Sequence, residues 1–111
     1  MVGDSPILDL TLGLDGLQSL IDLLAERGFT VTSCDLTWFG VVAARDRFRE
    51  KGLEVDVVVA DAENLPFRER SFDVAWTSLL LHHFPVLDKL PLELKRITRK
   101  SVVALEANAG N

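Results

Sequence analysis

Short β-branched apolar runs alternate in this chain with segments whose apolar residues recur every three to four positions, and that alternation admits few folds. Strand, helix and strand in succession pack as right-handed crossovers onto a parallel sheet. Three of the runs end at or just before an aspartate: Ile7-Leu8-Asp9, Val31-Thr32-Ser33-Cys34-Asp35 and Val57-Val58-Val59-Ala60-Asp61. A parallel sheet binds ligands at the carboxyl ends of its strands, so carboxylates at three successive strand ends converge on one crevice. Such a crevice suits a ligand rich in hydroxyls, amines or positive charge. A nucleoside with a cationic tail fits it better than a nucleotide with phosphates.

The order of elements follows from periodicity and from the residues that stop each segment. Ile7 to Leu10 is a short strand, and the glycines and aspartate of residues 11–16 form the loop after it. Leu17, Leu20, Ile21 and Leu24 share a helical face, and Gly28 stands where a helix terminus favours φ > 0. Residues 30–34 form the second strand. Residues 37–51 are helical, with Val41, Val42, Ala44 and Phe48 as the apolar stripe and Gly52 as the stop. Residues 55–60 are a near-continuous β-branched run, which predicts a strand covered on both faces. Residues 61–70 form a turn around Pro66, and residues 72–77 form the fourth strand. Pro91 opens a helix running to about Arg99, and residues 101–105 form a final strand. No repeat, low-complexity tract or internal domain boundary interrupts this order.

Composition narrows the function classes. The 111 residues suffice for one compact domain, and 48% hydrophobic residues supply its core. With 12 Lys+Arg against 17 Asp+Glu, a net charge of −5 and no basic run, the chain has no direct nucleic-acid patch. The single cysteine, Cys34, cannot form an internal disulfide, which makes a reducing compartment the default. No segment reaches the roughly 18 consecutive apolar residues of a membrane span. The first six residues lack the basic stretch and apolar core of a signal peptide. The expectation is a soluble cytoplasmic protein that makes no use of a membrane.

Several residues stand where ligand chemistry needs them, each with a plainer alternative. The loop Asp9-Leu10-Thr11-Leu12-Gly13-Leu14-Asp15-Gly16 follows the first strand and opens the first helix. Glycine there admits a ligand close to the backbone, and the helix start offers free N–H groups. The loop is neither a GxGxxG fingerprint nor a P-loop, and Asp15 would repel a pyrophosphate. It reads equally as an ordinary turn with Asp15 at the helix N-cap. Asp35 suits the hydroxyls of a ribose, or an N-cap role for Asp35 or Thr37. Asp61 suits the exocyclic amine of a purine, with Leu65 and Phe67 as an apolar wall; the plainer reading is a solvated turn with two apolar anchors. Thr77 and Ser78 end the fourth strand facing the crevice. Adjacent His82 and His83 point about 100° apart on a helix and do not chelate one ion, and no HxxxH or cysteine cluster accompanies them, so no metal is expected. One of the pair serves as a general base or substrate contact, or simply packs.

Taken together, Asp61-Ala62-Glu63-Asn64-Leu65-Pro66-Phe67, Ser71-Phe72-Asp73-Val74 and Leu81-His82-His83 resemble the class I S-adenosylmethionine-dependent methyltransferases of the small-molecule type. The resemblance runs from Ile7 to about Leu105. It implies a Rossmann-like doubly wound α/β sheet of five parallel strands that lacks the family's usual two C-terminal strands. It implies S-adenosylmethionine as cofactor, with the loop carrying Asp9, Thr11, Gly13 and Asp15 around the methionine part and Asp35 on the ribose hydroxyls. Asp61 would meet the adenine amine, between Ala62 on one side of the ring and Leu36 on the other. Thr77 and Ser78 would line the space near the methyl group, and His83 would contact a small-molecule acceptor. The family loop reads Asp-x-Gly-x-Gly-x-Gly, whereas Thr11 and Asp15 hold its first and third glycine positions here. Asp15 either crowds the cofactor or pairs with its amino group.

Residues 1–111 thus read as a single methyltransferase-like domain or the N-terminal core of a larger fold. An apolar edge at Val102-Val103-Ala104-Leu105 is a pairing hazard: either the chain is part of a larger protein, or the edge pairs with another chain in a homo- or hetero-oligomer, or something else blunts it. Two other function classes compete. One is a catalytically inactive methyltransferase-like module that serves as an interaction or structural partner. The other is a nicotinamide-dependent oxidoreductase, with which Asp35 agrees and the missing GxGxxG does not.

Overall fold

The computed structural model describes residues 5–10, 15–78 and 89–105, with the backbone alone at residues 15–19, 78, 104 and 105. Eight elements follow in order: β1 (Ile7–Leu10), α1 (Asp15–Glu26), β2 (Val31–Asp35), α2 (Trp38–Glu50), β3 (Val55–Val59), β4 (Phe72–Ser78), α3 (Leu90–Ile97) and β5 (Thr98–Leu105). All five strands pair in parallel in the order β3-β2-β1-β4-β5. The chain winds outward from β1 to β3 and then returns to lay β4 on the other side of β1. That reversal between β1 and β4 is the topological switch point of a doubly wound sheet, the architecture expected from the alternation.

The pleat sorts the core into two layers. Leu8, Leu10, Cys34 and Ala75 face α3, where they pack with Leu90, Leu94 and Ile97. Ile7 and Val31 face the other way, onto Ile21 of α1 and Phe48 of α2. β1 is buried along its whole length, as the central strand of such a sheet must be. Gly28 and Gly52 both take positive φ, at 89° and 69°, and end their helices as their positions predicted. Thr37 caps α2 by accepting the Gly40 N–H at 2.9 Å. No helix among the described residues is long and apolar enough to cross a membrane.

Two expectations are corrected. β3 is an edge strand whose two faces are only partly covered, with Asp56 and Val59 exposed, where a strand fully covered on both faces was expected. Its valines satisfy the backbone preference of a pleated strand; Val55 and Val57 pack against the Phe48 cluster on one face and Val58 against the Leu65 cluster on the other, and none of the three is fully buried. The second correction concerns α3, which ends at Ile97, with β5 starting at Thr98 and no linker between them. Thr98 Oγ1 donates back to the Leu94 carbonyl at 2.7 Å, closing the last turn as the chain extends. Phe72 pairs with Thr98 while Val74 pairs with Ser101, so two β5 residues oppose the single Asp73. This bulge lets consecutive basic residues serve one buried carboxylate, with Arg99 Nε at 2.8 Å and Lys100 Nζ at 3.6 Å.

Candidate functional site

The strand register arranges the three aspartates as a staircase. Asp9 pairs with Ser33, two residues before Asp35, and Asp35 pairs with Val59, two residues before Asp61. Each carboxylate therefore stands one pleat farther out than the last. Asp9 is 4% exposed, Asp35 is half-buried and Asp61 is exposed.

Each step has its own chemistry. Asp9 accepts a hydrogen bond from Ser33 Oγ at 2.6 Å beneath the surface. Asp35 Oδ1 accepts from the Thr37 N–H at 2.9 Å and from Thr37 Oγ1 at 3.1 Å, which buttresses the residue that caps α2. Of the two N-cap candidates, Thr37 is the cap and Asp35 is not; Asp35 supports it. Asp35 Oδ2 has no partner among the described residues. The carboxylate lies over Gly40, where a Cβ would collide with it. Asp61 Oδ1 accepts the Glu63 N–H at 2.9 Å, and the Asn64 N–H closes the turn onto the Asp61 carbonyl at 2.9 Å.

Gly40 yields a test of this geometry. A helical glycine replaced by alanine ordinarily gains about 0.5–1 kcal/mol of stability. Gly40→Ala is expected to gain nothing or to lose stability, because the new methyl displaces Asp35 from Thr37. A raised thermal midpoint for Gly40→Ala would show that Asp35 does not rest there.

The remaining expected residues fall in several places. Leu36 is 64% exposed beside Asp35, and Trp38 and Phe39 continue an exposed apolar rim. Ala62 is half-buried against the α3-side core. Leu65 is buried in that core, and Phe67 packs edge-on against Phe72 with ring centroids 5.0 Å apart. These two anchor the turn, which is the plainer of the two readings, and Leu65 does not form a wall of the crevice. Thr77 pairs with Leu10 and is buried on the opposite face from Asp9. It borders a hollow of about 430 Å³ between α3 and β5. Ser78 ends β4 and Asp15 begins α1. Thr11, Gly13, His82 and His83 lie outside the described residues.

Two other features bound the chemistry. Burial pushes the Cys34 thiol up to about 12, and the Asp9 charge adds to the rise, so the thiol stays protonated and is no nucleophile in the folded chain. The described residues contain no cluster of three or more His, Cys, Asp or Glu suited to a metal. A hollow of about 950 Å³ beside Phe29, Phe48, Gly52 and Leu53 lies at the amino ends of β2 and β3. A sheet of this kind does not place its ligand there. Sequence reading missed Glu93 and Arg96 of α3, which bond the backbone of the Asp61 turn. Their spacing of three marks only a helix-surface pair.

The comparisons agree with this architecture. The methyltransferase domain family matches residues 10–105. Methyltransferase GfsG of Streptomyces halstedii is 35% identical over 79 residues, covering 69% of this chain and 28% of that protein. The ubiquinone/menaquinone biosynthesis C-methyltransferase UbiE of Bradyrhizobium diazoefficiens is 32% identical over 101 residues, covering 87% of this chain and 40% of that protein. A solved SAM-dependent methyltransferase of Methanosarcina mazei superposes with a TM-score of 0.73 at 28% identity, covering 89% of this chain and 50% of that one. The chain spans 28% to 40% of the length of these two curated relatives. Its strand order and its match over residues 10–105 lead to one conclusion: the chain belongs to the methyltransferase domain family.

Proposed function

We propose that this chain is the cofactor-binding core of an S-adenosylmethionine-dependent methyltransferase that acts on a small-molecule acceptor. The observation that carries the reading is Asp35. It is a half-buried carboxylate at the carboxyl end of β2, with one oxygen held by Thr37 and the other without a partner among the described residues. The hydroxyls of a ribose supply the donors that this oxygen lacks. Asp61, one pleat farther out, commits one oxygen to the Glu63 amide and can accept from an adenine amine with the other. Neither carboxylate enters an ion pair among the described residues. Acceptors of this kind fit a group that brings hydroxyl and amine donors and a positive sulfonium, and they disfavour phosphate.

When bound, the sulfonium supplies an electrophilic methyl carbon, and little covalent work falls to the protein. The residues of this chain bind and orient. Asp35 holds the ribose and Asp61 reads the adenine amine, with Leu36 and Ala62 beside the ring. Asp9, turned inward onto Ser33, secures the end of β1, and Thr11, Gly13 and Asp15 of the loop that follows in sequence would serve the methionine part. Thr77, turned toward the α3–β5 hollow, and Ser78 after it would line the space near the methyl group at the end of β4, and His83 would contact the acceptor. The name of the quinone-biosynthesis relative supports a small organic acceptor. The alternative of an inactive partner module is not favoured, since the relatives compared above are all methyltransferases by name.

Asp35→Ala and Asp61→Ala are each expected to weaken binding of S-adenosylhomocysteine by about 1–3 kcal/mol, through lost hydrogen bonds to a charged acceptor. Isothermal titration checks this. If both variants bind like the parent, the crevice is misassigned. If the folded parent gives no heat at millimolar ligand, the partner role is favoured instead.

A further inference from the structure

The turn that carries Asp61 is gripped from outside the crevice. Glu93 Oε1 on α3 accepts the Leu65 N–H at 2.7 Å. Arg96, one helical turn on, donates from Nη2 to the Leu65 carbonyl at 3.0 Å and from Nη1 to the Phe67 carbonyl at 2.6 Å. Glu93 orients that guanidinium, with Arg96 Nε at 2.7 Å from Oε2 and Nη2 at 3.0 Å from Oε1. The two side chains thus form one fork that closes on both sides of Pro66, which has no N–H of its own to offer. Glu63 Oε2 also accepts the Lys89 N–H at 3.2 Å, tying the near end of the turn to the start of α3.

The bonds the turn makes within itself reach only from Asp61 to Glu63 and Asn64. They shape it, and the Ala60 N–H, donating to the Asp35 carbonyl at 2.9 Å, ties its first end to β2. The rest of the turn, from Glu63 to Phe67, is seated by α3, whose Leu90, Leu94 and Ile97 are set in the core with Leu65. The Arg96 guanidinium also holds the Glu93 carboxyl below the usual carboxylate range, so the pair stays charged at neutral pH. A lysine at position 96 would keep the charge but could not bridge two carbonyls and a carboxylate at once.

We propose that Glu93 and Arg96 are positioning residues for adenine recognition, holding the Asp61 turn at the height where its carboxylate meets the exocyclic amine. This rests on the cofactor reading above. A purely structural pair would lower stability and leave ligand preference alone. A positioning pair moves the preference itself.

The test uses the whole chain and two discriminations read by calorimetry. Adenine reading is S-adenosylhomocysteine against S-inosylhomocysteine, in which a carbonyl oxygen replaces the amine. Ribose reading is S-adenosylhomocysteine against its deoxyribose analogue, which reports Asp35. The parent is expected to prefer the adenine form by about tenfold, because a carboxylate accepts from an amine and repels a carbonyl. In Arg96→Lys that preference is expected to fall to about twofold or less, with the ribose preference within about twofold of the parent's. Glu93→Gln, which keeps an acceptor for the Leu65 N–H, is expected to retain most of the adenine preference. If Arg96→Lys does not fold, Glu93→Ala, which removes only the Leu65 acceptor and the carboxylate behind Arg96, carries the same comparison. The inference is overturned if the adenine preference survives in the variant, or if both preferences fall together. A parent that binds none of the ligands overturns the cofactor reading itself, which is a different result from a binding parent with indifferent variants.

Discussion

Asp22→Ala is expected to lower the unfolding free energy by about 2–3 kcal/mol, seen as an earlier urea midpoint with an unchanged slope. Asp22 lies on α1 and is 6% exposed. Two basic residues of α2 reach it: Arg47 Nη1 at 2.9 and 3.0 Å from its two oxygens, and Lys51 Nζ on Oδ2. The two helices cover the same face of the sheet, and this triad ties one to the other. Removing the carboxylate leaves two cations facing a half-dry surface. A fully buried pair would cost about 3–5 kcal/mol to break. The figure is lower here because Arg47 and Lys51 keep 29% and 51% of their side chains in water.

The same triad sets part of the acid limb. Burial pushes the Asp22 carboxyl up, but the hydrogen bonds from Lys51 and Arg47, with their charges, outweigh it and hold the group below its ordinary value. A folded pKa below the unfolded one gives stability that is present above the unfolded value of about 4. That stability is lost as the pH falls from there through the folded pKa. Asp22→Asn should therefore be less stable at neutral pH and show a shallower loss on acidification. Parallel acid limbs for parent and variant would rule out the triad as their source.

Phe48→Ala is expected to have the larger effect, about 3–5 kcal/mol. Phe48 is 2% exposed and joins Ile7, Ile21 and Val31 in the core on the α1–α2 side. Arg47 stacks on its ring at 4.2 Å from the centroid, so the side chain also steadies the Asp22 partner. The site cannot readily collapse, because the hollow at the amino ends of β2 and β3 already borders it. Against a typical domain stability of about 5–15 kcal/mol, a loss of this size leaves much of the population unfolded on warming. Phe48→Leu should lose much less, on the order of 1.5 kcal/mol. Denaturant unfolding of both variants checks the seat of α2, and a parent-like midpoint for Phe48→Ala would mean that α2 is not held by this ring.

Much of the fold was legible because its signals are local. Gly28 and Gly52 mark helix ends because positive φ is a matter of one residue's sterics. Asp35 and Asp61 were legible as strand-end carboxylates, since a run of β-branched residues locates its own end. Less local features were not. The valines of β3 look the same at an edge as at the centre of a sheet. The bulge opposite Asp73 breaks the alternation from which β5 was read, and the start of the strand was misplaced by three residues. Leu65 looked like a crevice wall because an apolar residue in a turn does not show which way it faces.

The sequence by itself determined the kind and order of the elements, and the strand ends that carry Asp9, Asp35 and Asp61. Side-chain period and backbone preference depend only on near neighbours along the chain. Only the tertiary structure decided that Asp9 is buried against Ser33, that Asp35 leans over Gly40 onto the cap of α2, and that α3 holds the Asp61 turn. Arg47 meets Asp22 across 25 residues and Leu65 meets Glu93 across 28. Contacts at that range have no period to betray them, since they are set by how the layers close around the sheet.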